Sequence, residues 1–194
     1  MARGDTLVIS HCGDTLSRSP CGNALAPPPR IVALWPPRAA DSAAAAIHAD
    51  NAAGLVLEVG EGAGRAILAA DVDSTVERAL EPAPGVALLK VAHHGSGSSS
   101  GAAFLALARP RVAAISCGAR NPFGHPAEAA LERIADCGAA LHRTDREGAL
   151  WFELSEGGAR RIEWREGGRP WQEDGFEQAR MSRDAAAASA VARD

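Results

Sequence analysis

Two adjacent histidines end a short apolar run. Residues 86–91 read V-A-L-L-K-V, His93 and His94 follow one residue later, and a G-S-G-S-S-S stretch comes next. Neutral imidazole is the commonest metal ligand near neutral pH. Glycines let a backbone come close to a ligand, and serines such as Ser96 offer hydroxyl donors to a substrate oxygen. In layered α/β proteins, ligands sit where strands stop and loops begin. A solvated polar loop can carry the same residues, so the surroundings decide. Asp71 ends a second apolar run, residues 65–70, and directly precedes a segment with a good helix start, D-S-T-V-E-R-A-L at residues 73–80. It is therefore open to two readings, a metal-binding carboxylate or the N-cap of that helix. One carboxylate and one imidazole make half a metal site. A hydrolytic divalent centre needs three or more protein ligands and an open position for water.

A third loop, residues 118–126 (G-A-R-N-P-F-G-H-P), offers Arg120 and Asn121 as phosphate donors. His125 in the same loop suits a general acid, a phosphate ligand or a metal ligand. It also fits a plain helix cap, with Pro126 opening the helix after it. His142, Thr144 and Asp145 read as a structural turn after another strand. His11 and His48 stand apart from any cluster.

The elements that must position these groups follow from pattern. Apolar runs predict strands at residues 31–35, 55–59, 65–70, 86–91, 112–116, 139–143 and 149–154, with a further edge strand at 160–164. The second and third form a hairpin about a turn at 60–64. Helices are predicted at 73–80, 101–108 and 127–137, the last amphipathic, with Leu131 and Ile134 on one face and Gly138 at its C-terminus. The order implies an α/β fold with helices packed on a mixed sheet. Asp71 and the His93/His94 pair come together if their two strands are neighbours. Residues 6–10 make another possible strand, residues 14–30 a Ser/Pro/Gly-rich loop, and residues 38–50 an Ala-rich loop or short helix. Three regions result: an irregular segment at 1–30, a domain at 31–164, and a disordered or weakly helical tail at 165–194.

The chain has 194 residues and a formal net charge of -4, which argues against a broad basic nucleic-acid surface but not against phosphate contacts made through metal ions. Hydrophobic residues make up 46% but aromatics only 4%, so Leu, Val, Ile and Ala must build the core. Cys12, Cys21, Cys117 and Cys137 form no C-x-x-C pair, which argues against a zinc knuckle, and Cys117 reads as a small buried apolar residue. No run is long enough to span a membrane and the N-terminus lacks a signal-peptide layout, so a soluble chain is expected.

These segments carry a resemblance. K-V-A-H-H-G-S-G-S-S at residues 90–99 resembles the K-V-x-H-H-G-S-x-x-S signature in the metallo-β-lactamase-like domain of ComEC-type DNA-internalisation proteins. Five more segments agree in order: L-W-P-P at 34–37, N-A-A-G-L-V-L-E-V at 51–59, I-L-A-A-D at 67–71, G-A-R-N-P-F-G-H-P at 118–126 and R-T-D-R-E-G-A-L at 143–150. The resemblance implies a partial αββα metallo-β-lactamase sandwich and metal-dependent phosphodiester hydrolysis acting on DNA in competence-type uptake. It implies a divalent metal, Zn or Mn, with two ions in a complete domain. Asp71 and one of His93 and His94 would be ligands, and His125 would lie behind them or touch substrate.

The chain also departs from that family. The D-x-G-Q-G-D strand and the H-x-D/H-x-D-H loop, which supplies most metal ligands, are absent, and Ala70 replaces the Gly before Asp71. V-I-S-H-C-G-D at 8–14 or R-G-D-T-L at 3–7 marks where the match begins, so the chain resembles the second half of the domain. The family is membrane-anchored and its membrane-spanning portion is missing here. Two functions follow: a nuclease-like hydrolase, or an inactive half-domain that needs a partner chain carrying the missing loop. A half sandwich would leave one apolar sheet face and a strand edge uncovered.

Overall fold

The computed structural model describes residues 30–36 and 54–162. The expectations for residues 6–10, 14–29, 38–50 and 165–194 fall outside these, as do His11, His48, Cys12 and Cys21. The chain divides into two units, Met1–Arg160 and Arg161–Asp194. In chain order the elements are β1 (Ile31–Trp35), β2 (Val56–Val59), β3 (Ala66–Ala69), α1 (Ser74–Glu77), β4 (Leu88–Lys90), α2 (Ala102–Ala108), β5 (Val112–Ile115), α3 (Glu128–Asp136), β6 (Ala140–Arg143), α4 (Thr144–Glu147), β7 (Trp151–Ser155) and β8 (Gly158–Ile162).

The fold is α/β, with a mixed six-stranded sheet in the order β1 to β6. β1, β2 and β3 pair antiparallel, as the hairpin signal requires. From β3 to β6 every pairing is parallel, because each connection carries a helix back across the sheet. The C-terminal ends of β3, β4, β5 and β6 therefore lie side by side along one rim. That rim collects the residues after each strand: Asp71, His93 and His94, Ser116 and Cys117, then Thr144 and Asp145.

Alternation fixes the two faces. Val56, Ile67, Leu89, Ala113 and Ile115 face a core shared with Val76 and Leu80, Phe104 and Leu105 of α2, and Ile134 of α3. Fully burying each such aliphatic side chain contributes about 1.5–3 kcal/mol. The opposite face holds a smaller cluster, Ala66, Leu88 and Ala114, against which Leu150, Phe152, Leu154 and Ala159 pack. The expected bare face is thus partly covered by β7, although Leu68 remains 39% exposed on it. Gly64 lets β7 approach, since a Cβ there would lie 2.5 Å from the Ser155 carbonyl oxygen. One helical layer against one sheet, with a hairpin behind, is compatible with part of an αββα sandwich.

Several elements are shorter than the pattern suggests. The helix expected over 73–80 is the single turn α1. Pro82 and Pro84 follow closely, and a proline disfavours helical geometry in the residue before it. β4 covers only Leu88–Lys90, although Val86 and Ala87 are also buried. Residues 144–147, expected as a turn, form the helical turn α4, where Glu147 Oε1 accepts the Arg143 N–H at 2.8 Å. Among the described residues no helix is long and apolar enough to cross a membrane.

Candidate metal corner

The loop after β4 turns through an unusual backbone. His93 (φ 47°) and His94 (φ 54°) both lie in the left-handed region. Each costs about 1–3 kcal/mol for a residue with a Cβ, so neighbouring contacts must hold them there. The His93 N–H donates to the Ala70 carbonyl at 3.1 Å, and the Ser96 N–H donates to the His93 carbonyl at 2.8 Å. Gly95 (φ 79°) completes the turn, and a Cβ on it would fall 2.6 Å from Pro126 Cβ. The Ala127 N–H donates to the Gly95 carbonyl at 2.8 Å, so this glycine joins the histidine loop to the loop before α3.

Two charged side chains far away in sequence lock the rest. The buried Glu77 carboxylate accepts the N–H groups of Ser100 and Gly101, each at 2.7 Å. Arg133 of α3 donates to the carbonyls of Ser100, Gly97 and Ser99 at 2.8–2.9 Å. The Ser99 hydroxyl donates to the Ala92 carbonyl at 2.9 Å. Burial pushes the Glu77 carboxyl up from 4.5, opposed by those N–H donors and Arg133. Neither Glu77 nor Arg133 lies in a motif, and spacing gives no sign that helices 23 and 33 residues from Ser100 converge on it.

The geometry separates the two histidines. His94 Nδ1 is 2.6 Å from the Ser116 carbonyl oxygen, so in the neutral ring Nδ1 carries the proton and Nε2 is the bare nitrogen. That Nε2 lies 3.7 Å from Asp71 Oδ1, with both side chains about half exposed. An imidazole oriented through its other nitrogen is the usual arrangement of a metal-binding histidine. The His93 ring meets that of His125 edge-on at 5.6 Å and that of His94 edge-on at 6.5 Å. Asp71 does not cap α1, because Asp73 does: its Oδ1 accepts the N–H of Thr75 at 2.8 Å and of Val76 at 3.3 Å. Beside Asp71, Lys90 Nζ donates to the Ala69 carbonyl at 2.7 Å, and burial pushes its pKa down against the pull of Asp71.

The 118–126 loop forms the other wall. The Asn121 amide donates to the carbonyls of Gly118 (2.8 Å) and His125 (2.6 Å), and its oxygen accepts the His125 N–H at 3.0 Å. Asn121 thus spends its side chain holding the loop. Arg120 is exposed, and the Ser96 hydroxyl sits 3.2 Å from that of Ser98 within its own turn. The expectation that His125 caps α3 is corrected: Ala127 is the N-cap, Pro126 precedes it, and no side chain caps that end. His125 Nδ1 is buried with no hydrogen-bond partner, which leaves Nε2 as the nitrogen available to a substrate. His94, Ser116, Cys117, Asn121, Phe123 and His125 line a shallow cavity of about 250 Å³.

Behind that cavity the turn after β6 is structural, as expected. Thr144 Oγ1 accepts the Cys117 N–H and donates to the Cys117 carbonyl, both at 2.8 Å. Arg143 grips Asp145 through two bonds, at 3.0 and 2.7 Å, and holds its carboxyl down at about 2. Cys117 is half-buried rather than a plain core residue; its thiol donates to Asp145 Oδ1 at 3.2 Å, and burial pushes the thiol pKa up. Among the described residues no three His, Cys, Asp or Glu side chains come together as a metal cage. Asp71 and His94 would offer a divalent ion two donors, fewer than the three or more that a hydrolytic centre needs.

No protein-family model matches the chain. It is similar to competence protein ComA of Neisseria gonorrhoeae, with 36% identity over 132 residues, 66% of this chain and 19% of that protein. Recombination protein 2 of Haemophilus influenzae is 32% identical over 103 residues, 53% of this chain and 13% of that protein. ComE operon protein 3 of Bacillus subtilis is 35% identical over 65 residues, 34% of this chain and 8% of that protein. The chain therefore resembles a segment of each of these proteins and spans less than a fifth of the length of these curated relatives.

Proposed function

We propose that this chain carries the Asp71–His94 corner of a divalent metal centre for phosphodiester hydrolysis, acting on DNA in a competence system. The observation that carries the reading is His94 Nε2, fixed through Nδ1 on Ser116 and facing Asp71 at 3.7 Å. The similarity to a protein named for competence supports the biological setting. A bound divalent ion, Zn or Mn, would supply a water of lowered pKa and polarise a phosphate oxygen. The chain's own residues do the rest: Asp71 and His94 hold two positions, and Asn121 sets the backbone of His125. His125 can hand a proton to a leaving oxygen through Nε2, while Arg120 and Ser96 offer donors to phosphate.

The shortage of ligands among the described residues favours a specific form of this reading. The remaining donors come from elsewhere, and a partner chain carrying the missing loop is one source. The test is cleavage of DNA in Mn²⁺ together with metal analysis, with and without that partner, beside Asp71→Ala and His94→Ala. Metal uptake and cleavage that both variants abolish support the proposal. Cleavage untouched by either variant, or no metal above background in any combination, overturns it.

A further inference from the structure

We propose that the ring of Phe123 is a stacking platform for one base of a single-stranded polynucleotide, seating the strand beside His125 and His94. The inference rests on the hydrolase reading above and adds which residue grips the strand. Phe123 is 77% exposed, more than Leu107 at 53% or Leu68 at 39%. Its ring lies on the cavity that His94 and His125 line. It runs nearly parallel to the His125 ring, at 6.1 Å between centroids and 21° between planes, and His125 in turn meets His93 edge-on. The outer face of Phe123 is open while the inner side is backed by an aromatic neighbour.

The loop presents this ring in a fixed position. The three Asn121 hydrogen bonds close the loop around residues 122–124, so little ordering remains when a ligand arrives. Arg120, exposed in the same loop, supplies positive charge for a phosphate next to the stacked base. Exposed aromatics with neighbouring basic residues are the working parts of single-strand binding sites, because every base has a π-face. Bases within a duplex are already stacked on each other, so only an unpaired strand offers a face to Phe123.

The experiment uses the purified chain in EDTA, so that no strand is cut. The probe is a single-stranded oligodeoxythymidine with one internal 2-aminopurine, compared with a strand of the same length in which every residue is abasic and with a duplex. Wild type should quench 2-aminopurine and bind the strand above the duplex. Phe123→Ala should weaken binding by roughly 5- to 150-fold, while Phe123→Trp restores it. The abasic strand should bind Phe123→Ala and wild type equally. Both variants should melt with wild type, since the ring is exposed. Phe123→Ala within about twofold of wild type, equal binding of intact and abasic strands by wild type, or no binding of the strand at all overturns the platform. Failure of metal uptake and cleavage with Phe123-dependent binding intact removes only the hydrolase reading. Unchanged Phe123→Ala binding in a chain that cleaves removes only the platform.

Discussion

Replacing Glu77 with alanine should unfasten the histidine loop from a distance. The carboxylate accepts two backbone N–H groups at 2.7 Å; the Ser100 N–H is buried and the Gly101 N–H partly so. Hydrogen bonds to a charged group are worth about 1.5–3 kcal/mol each, and a buried donor left without a partner costs a similar amount. Removing the side chain also removes a carboxylate whose burial already raises its pKa, which returns part of that loss. The net expected loss is about 2–4 kcal/mol. With an ordinary urea slope, the midpoint falls by about 1–2 M at unchanged slope. Glu77→Gln should lose nearly as much, because its NH₂ would face one of the two donors. The pH dependence has a definite sign. The folded carboxyl titrates above 4.5, so its linked stability is fully present below 4.5 and is lost as pH rises through the higher folded value. Wild type minus Glu77→Gln should therefore shrink as pH rises through that window. A Glu77→Ala loss below about 0.5 kcal/mol, the range of an ordinary surface change, would refute the clamp.

Gly95→Ala should cost about 2–4 kcal/mol in the same denaturation assay, from the left-handed backbone and the 2.6 Å approach to Pro126. Arg133→Met should speed amide hydrogen exchange in residues 93–101 while leaving β1 and β2 protected, since its three carbonyl partners all lie in that loop. Asp145 titrates at about 2 rather than 3.8, so its linked stability is present above 3.8 and lost as pH falls toward 2; Asp145→Asn should flatten the acid limb of an unfolding series. The same variant should speed alkylation of Cys117 at neutral pH, read by peptide mapping, because burial and Asp145 both hold that thiol protonated.

The rim was legible because strand ends have sequence signals. Apolar runs broken by Gly, Pro and Asp marked β1 to β6 within a residue or two, and the hairpin then parallel order follows from what joins them. The Asp71 ambiguity was not legible: Asp71 and Asp73 both precede the same helix, and only the hydrogen bonds from Thr75 and Val76 assign the cap to Asp73. Choosing between His93 and His94 was equally out of reach. Adjacent residues in a strand would point to opposite faces, but these two are left-handed, and the partner that orients His94 is the carbonyl of Ser116, just past the C-terminal end of β5. Glu77 and Arg133 act through three-dimensional convergence, which leaves no local pattern. Asn121 in a Gly/Pro loop suits a phosphate donor and a bond to nearby backbone equally, and the fold uses it for the backbone.

Histidine side-chain ¹⁵N NMR during a Zn²⁺ titration tests the metal corner most directly. Neutral His94 should carry its proton on Nδ1, Zn²⁺ should perturb His94 Nε2 before His142, and Asp71→Ala should abolish the response. A His94 protonated on Nε2, or a Zn²⁺ response indifferent to Asp71, would contradict it.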